Sequence, residues 1–178
     1  RQLGKTAYVA PNEGAHELFT PYLEGRLAPA DFTPSFVISV DVAGIGMFTK
    51  SMEQYIGRID LAIDHHPSNE GFGKYNCVDA GCAACGELIY RILCELGPIT
   101  PEIALPLYVA VSTDTGCFVY SNTTPETHRI AAMLMESGID YASANKRHFR
   151  TKSLKRLKME SMIVEGLKCY DGGGIVIA

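Results

Sequence analysis

Two short apolar runs that each end in a carboxylate are the clearest strand signals in the chain. The run FVISVD occupies Phe36–Asp41, and the run DLAID occupies Asp60–Asp64. Continuous runs of this length and composition are typical of strands buried in a parallel sheet. A shorter strand is predicted over Thr6–Ala10, and the segment Pro11–Asp31, which proline and glycine interrupt, is predicted to contain a helical turn.

Apolar residues at helical spacing dominate the second half of the chain. Cys82–Leu96 carries one apolar face and is followed by Gly97, a typical stop residue. A threonine followed by proline and glutamate occurs at Thr100 and again at Thr124, and this signal predicts the start of two further helices. Two more helices are predicted, at Lys50–Ile56 and at Ser153–Lys168.

The alternation of strands and helices predicts the α/β class, with an open parallel sheet and flanking helices. Ligands of such sheets bind beyond the carboxyl ends of the strands, which is where Asp41 and Asp64 lie. A turn at Asp171–Gly174 leads to a last predicted strand at Ile175–Ala178. Arg1–Gly4 resembles the end of a helix, so we expect the domain to continue beyond both ends of the chain.

Composition and charge narrow the class of protein. The 178 residues are 47% hydrophobic and 20% charged, which fits a globular domain with a core of its own. The net charge of −4 argues against unselective binding to long nucleic acids. No apolar run is long enough to span a membrane, and the six scattered cysteines favour a reducing, cytoplasmic setting over a disulfide framework.

Three polar segments at the ends of predicted elements carry metal-competent side chains: Ser39–Asp41, Asp64–Pro67 and Ser112–Gly116. Carboxylate and imidazole together suit Mn²⁺, Fe²⁺ or Zn²⁺. Two such cations about 3.5–4 Å apart can clamp the attacking and leaving oxygens of a phosphoryl group. Taken alone, Asp41 is better explained as a turn residue and the His-His pair as solvent-facing. The hypothesis of a metal site therefore depends on the three segments occurring together.

The residues of these segments resemble the signatures of the DHH family of phosphoesterases. The stretch DHHPSN at Asp64–Asn69 is similar to the motif that gives the family its name. The stretch TDTG at Thr113–Gly116, followed by Phe118 and by Ser121–Thr123, is similar to the last core motif of the family. The branch that the chain most resembles degrades very short RNA and dephosphorylates 3′-phosphoadenosine 5′-phosphate.

The resemblance implies a set of metal ligands. Asp41 would bridge two Mn²⁺ ions, for which Mg²⁺ or Co²⁺ could substitute, and His65 and Asp114 would each ligate a cation. The family also carries a motif rich in histidine and aspartate ahead of the bridging aspartate, and no such motif precedes Arg1. The chain alone is therefore expected to be inactive. Where the family often has an arginine, this chain has the stretch Gly44–Met47.

The resemblance also implies which residues contact the substrate. His66 would face the substrate phosphate as a donor or an acid, and Asp64 would hold the loop and the ligating imidazole. Asn69, Thr115 and Gly116 would help to position the substrate.

The implied activity is hydrolysis of short oligoribonucleotides, of a nucleoside 3′,5′-bisphosphate, or of both, by water that two metal ions activate. Two alternatives remain: a cyclic-dinucleotide phosphodiesterase of the same family, or a non-catalytic nucleotide-binding fragment. Residues 1–150 would be part of the catalytic domain, 151–170 a linking helix, and 171–178 the start of a substrate-binding domain. The oligomeric state stays open, with a homodimer as one alternative.

Two further patterns have more than one explanation. Cys82 and Cys85 form a C-x-x-C pair without a partner pair, so we predict buried structural thiols and not a zinc site. Residues 146–158 contain seven lysines and arginines and no acid. This run is either a solvated helix face or a basic rim for a short anionic substrate.

Overall fold

A three-stranded parallel sheet forms the centre of the fold. The structure is a computed structural model that describes residues 3–177. A single helical turn, α1 (Thr20–Leu23), precedes the strands β1 (Ile38–Val40), β2 (Leu61–Asp64) and β3 (Tyr75–Val78), which are ordered β1-β2-β3. Ile38 pairs with Leu61, and Asp64 pairs with Val78. The predicted α/β class with an open parallel sheet is thus confirmed.

Helices pack against the central strand and build most of the core. They are α2 (Cys85–Leu96), α3 (Pro101–Asp114), α4 (Pro125–Glu136), α5 (Tyr141–Asn145) and α6 (Leu154–Gly166). Buried side chains of α3 and α4, among them Tyr108, Ile130 and Leu134, form the main cluster. A smaller cluster, in which Leu88 packs near Ile63, joins α2 to β2. This packing fixes the end of α3 relative to the end of β2.

Short helical segments fill several connections: 3₁₀ helices at Glu17–Phe19, Ile45–Met47, Lys50–Tyr55 and Asp171–Gly173, and a π-helical turn at Lys146–Arg150. The predicted helical turn within Pro11–Asp31 and the predicted short helix near Lys50 are therefore both present. Thr124 caps α4 with its side chain, since its hydroxyl accepts a hydrogen bond from the backbone of Thr127.

Two strand predictions need correction. Thr6–Ala10 does not form a strand; one isolated bridge joins Val9 to Leu27. β1 is shorter than Phe36–Asp41 and is not a fully buried strand, because it lies at the edge of the sheet, and Ile38 and Val40 stay largely exposed. β3 was not predicted from the sequence.

The last helix and strand differ slightly from the prediction. α6 ends at Gly166, because Lys168 already belongs to β4 (Lys168–Tyr170), which pairs antiparallel with β5 (Ile175–Ile177). None of the described residues of α6, β4 and β5 is buried. Arg1, Gln2 and Ala178, to which the predictions for the two chain ends extended, lie outside the described residues. Within 3–177, no helix combines the length and the apolar character needed to cross a membrane.

Candidate metal centre

Asp41 stands where β1 ends and the chain turns sharply. Its backbone N–H still donates to the carbonyl of Ile63 at 2.9 Å, as a ladder residue would. Its φ of +60° then takes the backbone into the left-handed region, which aspartate tolerates better than most residues. Asp41 Oδ1 lies 3.3 Å from Nε2 of His65. The turn thus brings the end of β1 to the end of β2.

His65 follows β2 and lies between two carboxylates. Its Nε2 is 3.3 Å from Asp41 Oδ1 and 3.6 Å from Asp114 Oδ2. Its Nδ1 lies 3.1 Å from the carbonyl oxygen of Cys82, which can only accept, so Nδ1 carries the proton. With the proton on Nδ1, Nε2 is the nitrogen that faces the two carboxylates and that can ligate a metal.

Asp64 holds the neighbouring histidine. This carboxylate is fully buried, and its Oδ1 lies 2.7 Å from Nδ1 of His66 and accepts the backbone N–H of His65 at 2.8 Å. Burial opposes ionisation of Asp64, but hydrogen bonds from Asn69 and His66 outweigh it and lower the pKa. The hydrogen bond to Asp64 in turn raises the pKa of His66. The imidazole that Asp64 orients is thus that of His66, whereas Cys82 orients the expected ligand His65.

Asp114 is the last residue of α3. Burial, followed by the negative charge of Asp41, raises the pKa of Asp114 to about 6. Two carboxylates that face one imidazole nitrogen repel each other, and a cation between them would relieve that repulsion. The amide of Asn122 donates to the carbonyls of Ala83 at 3.0 Å and of Asp114 at 3.2 Å, and so links the end of α3 to the segment that precedes α2.

The arrangement fits a divalent cation. Asp41, His65 and His66 each offer a ligand atom, and these atoms lie within 4.8 Å of one another. Asp114 faces the same His65 nitrogen from a third element. Oxygen and imidazole donors are compatible with Mn²⁺ and with several other first-row ions, so the donor set supports a metal without selecting one. The structure adds His66 to the residues within reach of a cation.

The predicted substrate contacts are placed differently. The Asn69 amide is engaged within the protein, since its nitrogen donates to Asp64 Oδ2 at 2.7 Å and its oxygen accepts from Gly71. Thr115 is fully buried, and its hydroxyl donates to the carbonyl of Val111 at 2.7 Å. Thr115 is therefore not accessible to a substrate, whereas Asn69 is only partly buried and its substrate contact stays a prediction. Gly116, at the turn after α3, is partly accessible.

Several supporting groups had no signal in the sequence. The segment before α2 contributes two backbone carbonyls, one of which accepts from His65 and the other from Asn122. Glu87 is buried, and its Oε2 accepts the backbone N–H of Ala83 at 3.3 Å, which holds the same segment. Backbone carbonyls are present at every position, so only the folded chain shows which of them act.

The two thiols of the C-x-x-C pair are buried. Cys82 lies three residues before Cys85, which is the first residue of α2. Burial raises the pKa of Cys82 to about 11 and that of Cys85 to about 12. The Cys85 thiol donates to the carbonyl of Ile63 at 3.3 Å. These properties agree with the predicted structural role.

Known proteins resemble the chain in sequence and in structure. No protein-family model matches the chain. The bifunctional oligoribonuclease and PAP phosphatase NrnA of Thermus thermophilus is 31% identical over 186 aligned positions, which cover 100% of this chain and 55% of that protein. The probable protein of the same name from Streptococcus mutans is 29% identical over 80% of this chain and 46% of its own length. The chain thus spans about half the length of these curated relatives.

Solved structures share the fold. An exopolyphosphatase-related protein from Bacteroides fragilis superposes with a TM-score of 0.82 over 95% of this chain and 54% of that chain, at 20% identity. A putative family II inorganic pyrophosphatase from Methanococcus jannaschii gives a TM-score of 0.61 over 95% of this chain and 61% of that chain, at 19% identity. At these identities, the likeness concerns the fold alone.

Proposed function

Because the chain belongs to the DHH family of phosphoesterases, we propose that it carries part of a two-metal centre for phosphate ester hydrolysis. The substrates that we propose are short oligoribonucleotides and nucleoside 3′,5′-bisphosphates, in keeping with the names of its relatives. A protein of the relatives' length would supply the remaining metal ligands. All six cysteines are free thiols, which supports the reducing, cytoplasmic setting that we propose for the enzyme.

One observation carries this proposal. Nε2 of His65 lies within 3.6 Å of carboxylate oxygens from two other elements, and its Nδ1 is occupied by the Cys82 carbonyl. Asp41, His65 and Asp114 would hold the cations, and we propose Mn²⁺ as the ion. When bound, such cations supply Lewis-acid stabilisation of phosphoryl oxygens and lower the pKa of a nearby water.

His66 and Asp64 are suited to a proton transfer. The hydrogen bond from Nδ1 of His66 to the buried Asp64 leaves Nε2 as the nitrogen that can meet a substrate. The raised pKa of His66 favours the protonated ring. We propose that His66 donates a hydrogen bond, or the proton itself, to an oxygen of the scissile phosphate ester.

Manganese binding by the chain tests the centre directly. Titration with Mn²⁺, followed by the electron paramagnetic resonance signal of the free ion, should show saturable binding. His65→Ala removes a central ligand and should weaken this binding at least tenfold, since even the loss of a supporting residue costs roughly 10–100-fold. His16→Ala, at an exposed histidine of the amino-terminal segment, is the matched control and should leave the affinity unchanged. Equal affinity in the two variants would refute the assignment of His65.

Hydrolysis is tested in a protein of the relatives' length that contains this chain. We expect Mn²⁺-dependent release of phosphate from a nucleoside 3′,5′-bisphosphate and of mononucleotides from very short RNA. His65→Ala should abolish both reactions. Manganese binding without any turnover would instead indicate a non-catalytic nucleotide-binding protein.

A further inference from the structure

The segment 146–158 is a strip of exposed positive charge on a protein of net charge −4. All seven of its lysines and arginines are exposed. Two of them, Lys152 and Arg156, pair with Glu160. The other five have no carboxylate within 4.0 Å among residues 3–177: Lys146, Arg147, Arg150, Lys155 and Lys158. Charge of one sign that the protein leaves uncompensated attracts a polyanion.

Aromatic rings adjoin the amino-terminal part of this segment. His148 stacks on Tyr22 with ring centroids 5.8 Å apart, and the Tyr22 hydroxyl lies 3.1 Å from its Nε2. The ring of Phe19 is 5.3 Å from His148 and is 36% exposed. Arg147 directly precedes His148 in the chain. Burial and then the charge of Arg147 lower the pKa of His148. An exposed ring next to cations is the combination that binds a base together with its phosphate.

The strip is joined to α3, the helix that also carries Asp114. Asn145, which immediately precedes it, donates to the hydroxyl of Tyr108 in α3 at 3.0 Å. Tyr108 lies six residues before Asp114 on the same helix, which corresponds to about 9 Å along the helix axis. This axial separation along α3 is within the span of a few nucleotides.

We propose that the 146–158 segment, together with the exposed ring of Phe19, binds the backbone and one base of a short single-stranded RNA. The cations contact phosphates, and the ring stacks on a base. The proposal rests on the proposed function for the identity of the strand, and it explains how the protein would prefer an oligonucleotide to a lone nucleotide. The negative net charge of the chain disfavours long nucleic acids.

Binding without catalysis tests this surface. Fluorescence anisotropy of a labelled RNA pentamer is measured in EDTA, so that neither metal binding nor hydrolysis contributes. Arg147→Gln with Arg150→Gln should weaken binding at least tenfold at low salt. It should also flatten the slope of log affinity against log salt by about 1.4, since each lost phosphate contact on a single strand accounts for roughly 0.7.

The matched control removes two exposed cations that lie outside the 146–158 segment. Arg58→Gln with Lys74→Gln changes the net charge equally, and both residues lie just ahead of strands, at the end away from Asp64. The control should keep the affinity and the slope of the unaltered chain. An equal loss in both double variants would show a general charge effect and would overturn the proposal.

Phe19→Ser tests the stacking contact separately. Loss of the ring should weaken pentamer binding at least fivefold, because stacking on an aromatic side chain contributes about 1–3 kcal/mol per base. The salt slope should stay unchanged, since no phosphate contact is removed, and urea unfolding verifies that the variant is folded. Unaltered binding by folded Phe19→Ser would refute the aromatic contact. Because manganese is absent, failure of the metal centre would leave these measurements as predicted, so the two proposals fail separately.

Discussion

Asp64 shows how one buried carboxylate shapes the loop that carries both histidines. It is fully buried, and hydrogen bonds replace the water that an ionised carboxylate needs. Oδ1 accepts from the backbone of His65 and lies 2.7 Å from His66, and Oδ2 accepts from Asn69. A buried charge is tolerated when its hydrogen bonds are complete, so each of these partners depends on Asp64 being ionised.

Replacement of Asp64 by asparagine should therefore be costly although the two side chains have the same shape. The amide has one acceptor oxygen, so at least one buried donor loses its partner and meets the NH₂ group. We expect Asp64→Asn to lower the free energy of unfolding by about 2–4 kcal/mol, measured by urea unfolding in EDTA. The control is Asp60→Asn at the other end of β2, where Oδ2 accepts one backbone hydrogen bond, from Val37 at 2.8 Å. Asp60→Asn should lower the free energy of unfolding by about 1 kcal/mol or less. Similar losses at both positions would contradict this account of Asp64.

At the scale of single residues, the sequence predicted which charged side chains meet but not what holds them. Asp41, His65 and Asp114 were predicted from motifs. In the structure, the carboxylates of Asp41 and Asp114 lie within 3.6 Å of Nε2 of His65. The Cys82 carbonyl that orients His65 could not be predicted, because a backbone carbonyl has no sequence signature. The hydrogen bonds of the Asn69 amide to Asp64 and Gly71 could likewise not be predicted, and its contact with a substrate stays a prediction.

The turn after α3 ends the helix at Asp114. Gly116, Cys117 and Phe118 are consecutive residues with positive φ, and the backbone N–H of Cys117 donates to the Ser112 carbonyl at 2.7 Å. The Thr115 hydroxyl accepts the N–H of Phe118 at 3.2 Å. Such a left-handed cap satisfies carbonyls that the helix end leaves free.

Gly116→Ala should disrupt this turn. An alanine there would adopt φ of +56°, and its Cβ would overlap the ring of Tyr120. We expect a loss of about 2–4 kcal/mol in the free energy of unfolding from the combined backbone and steric penalties. Gly138→Ala is the matched control, because φ there is +85° and no atom lies within 4 Å of the added Cβ. Gly138→Ala should lower the free energy of unfolding by only about 1–2 kcal/mol. If Gly116→Ala were as stable as Gly138→Ala, the steric argument would be refuted.

Predictions at the scale of elements succeeded where a local signal was strong. The Thr-Pro-Glu starts gave α3 and α4 at the right residues. β3 was missed because Tyr75–Val78 is mostly exposed and lacks a continuous apolar run. Thr6–Ala10 has strand-like residues, but within residues 3–177 it makes only the isolated bridge from Val9 to Leu27, and tertiary context overrides such a weak preference.

For the molecule as a whole, the candidate centre joins parts of the chain that the core alone holds only loosely. β1 contributes Asp41 but lies at a largely exposed edge, whereas Asp114 comes from the well-packed helices. Without a cation, the carboxylates of Asp41 and Asp114 repel each other, and this contributes to the raised pKa of Asp114. Bound metal would convert that repulsion into a link between the sheet edge and the helical core.

Manganese should therefore stabilise the folded chain. A ligand that binds only the folded state adds about 2.7 kcal/mol at a concentration 100 times its dissociation constant, and we expect a gain of this size in urea unfolding with Mn²⁺ as compared with EDTA. Asp41→Asn should remove most of the gain, since it deletes a charged ligand, while asparagine tolerates the left-handed backbone at this position. Asp31→Asn, at an exposed aspartate outside the centre, should retain the full gain. If Mn²⁺ stabilised the Asp41→Asn chain as much as the unaltered one, Asp41 would not be a ligand, and the link between β1 and α3 would have to be sought elsewhere.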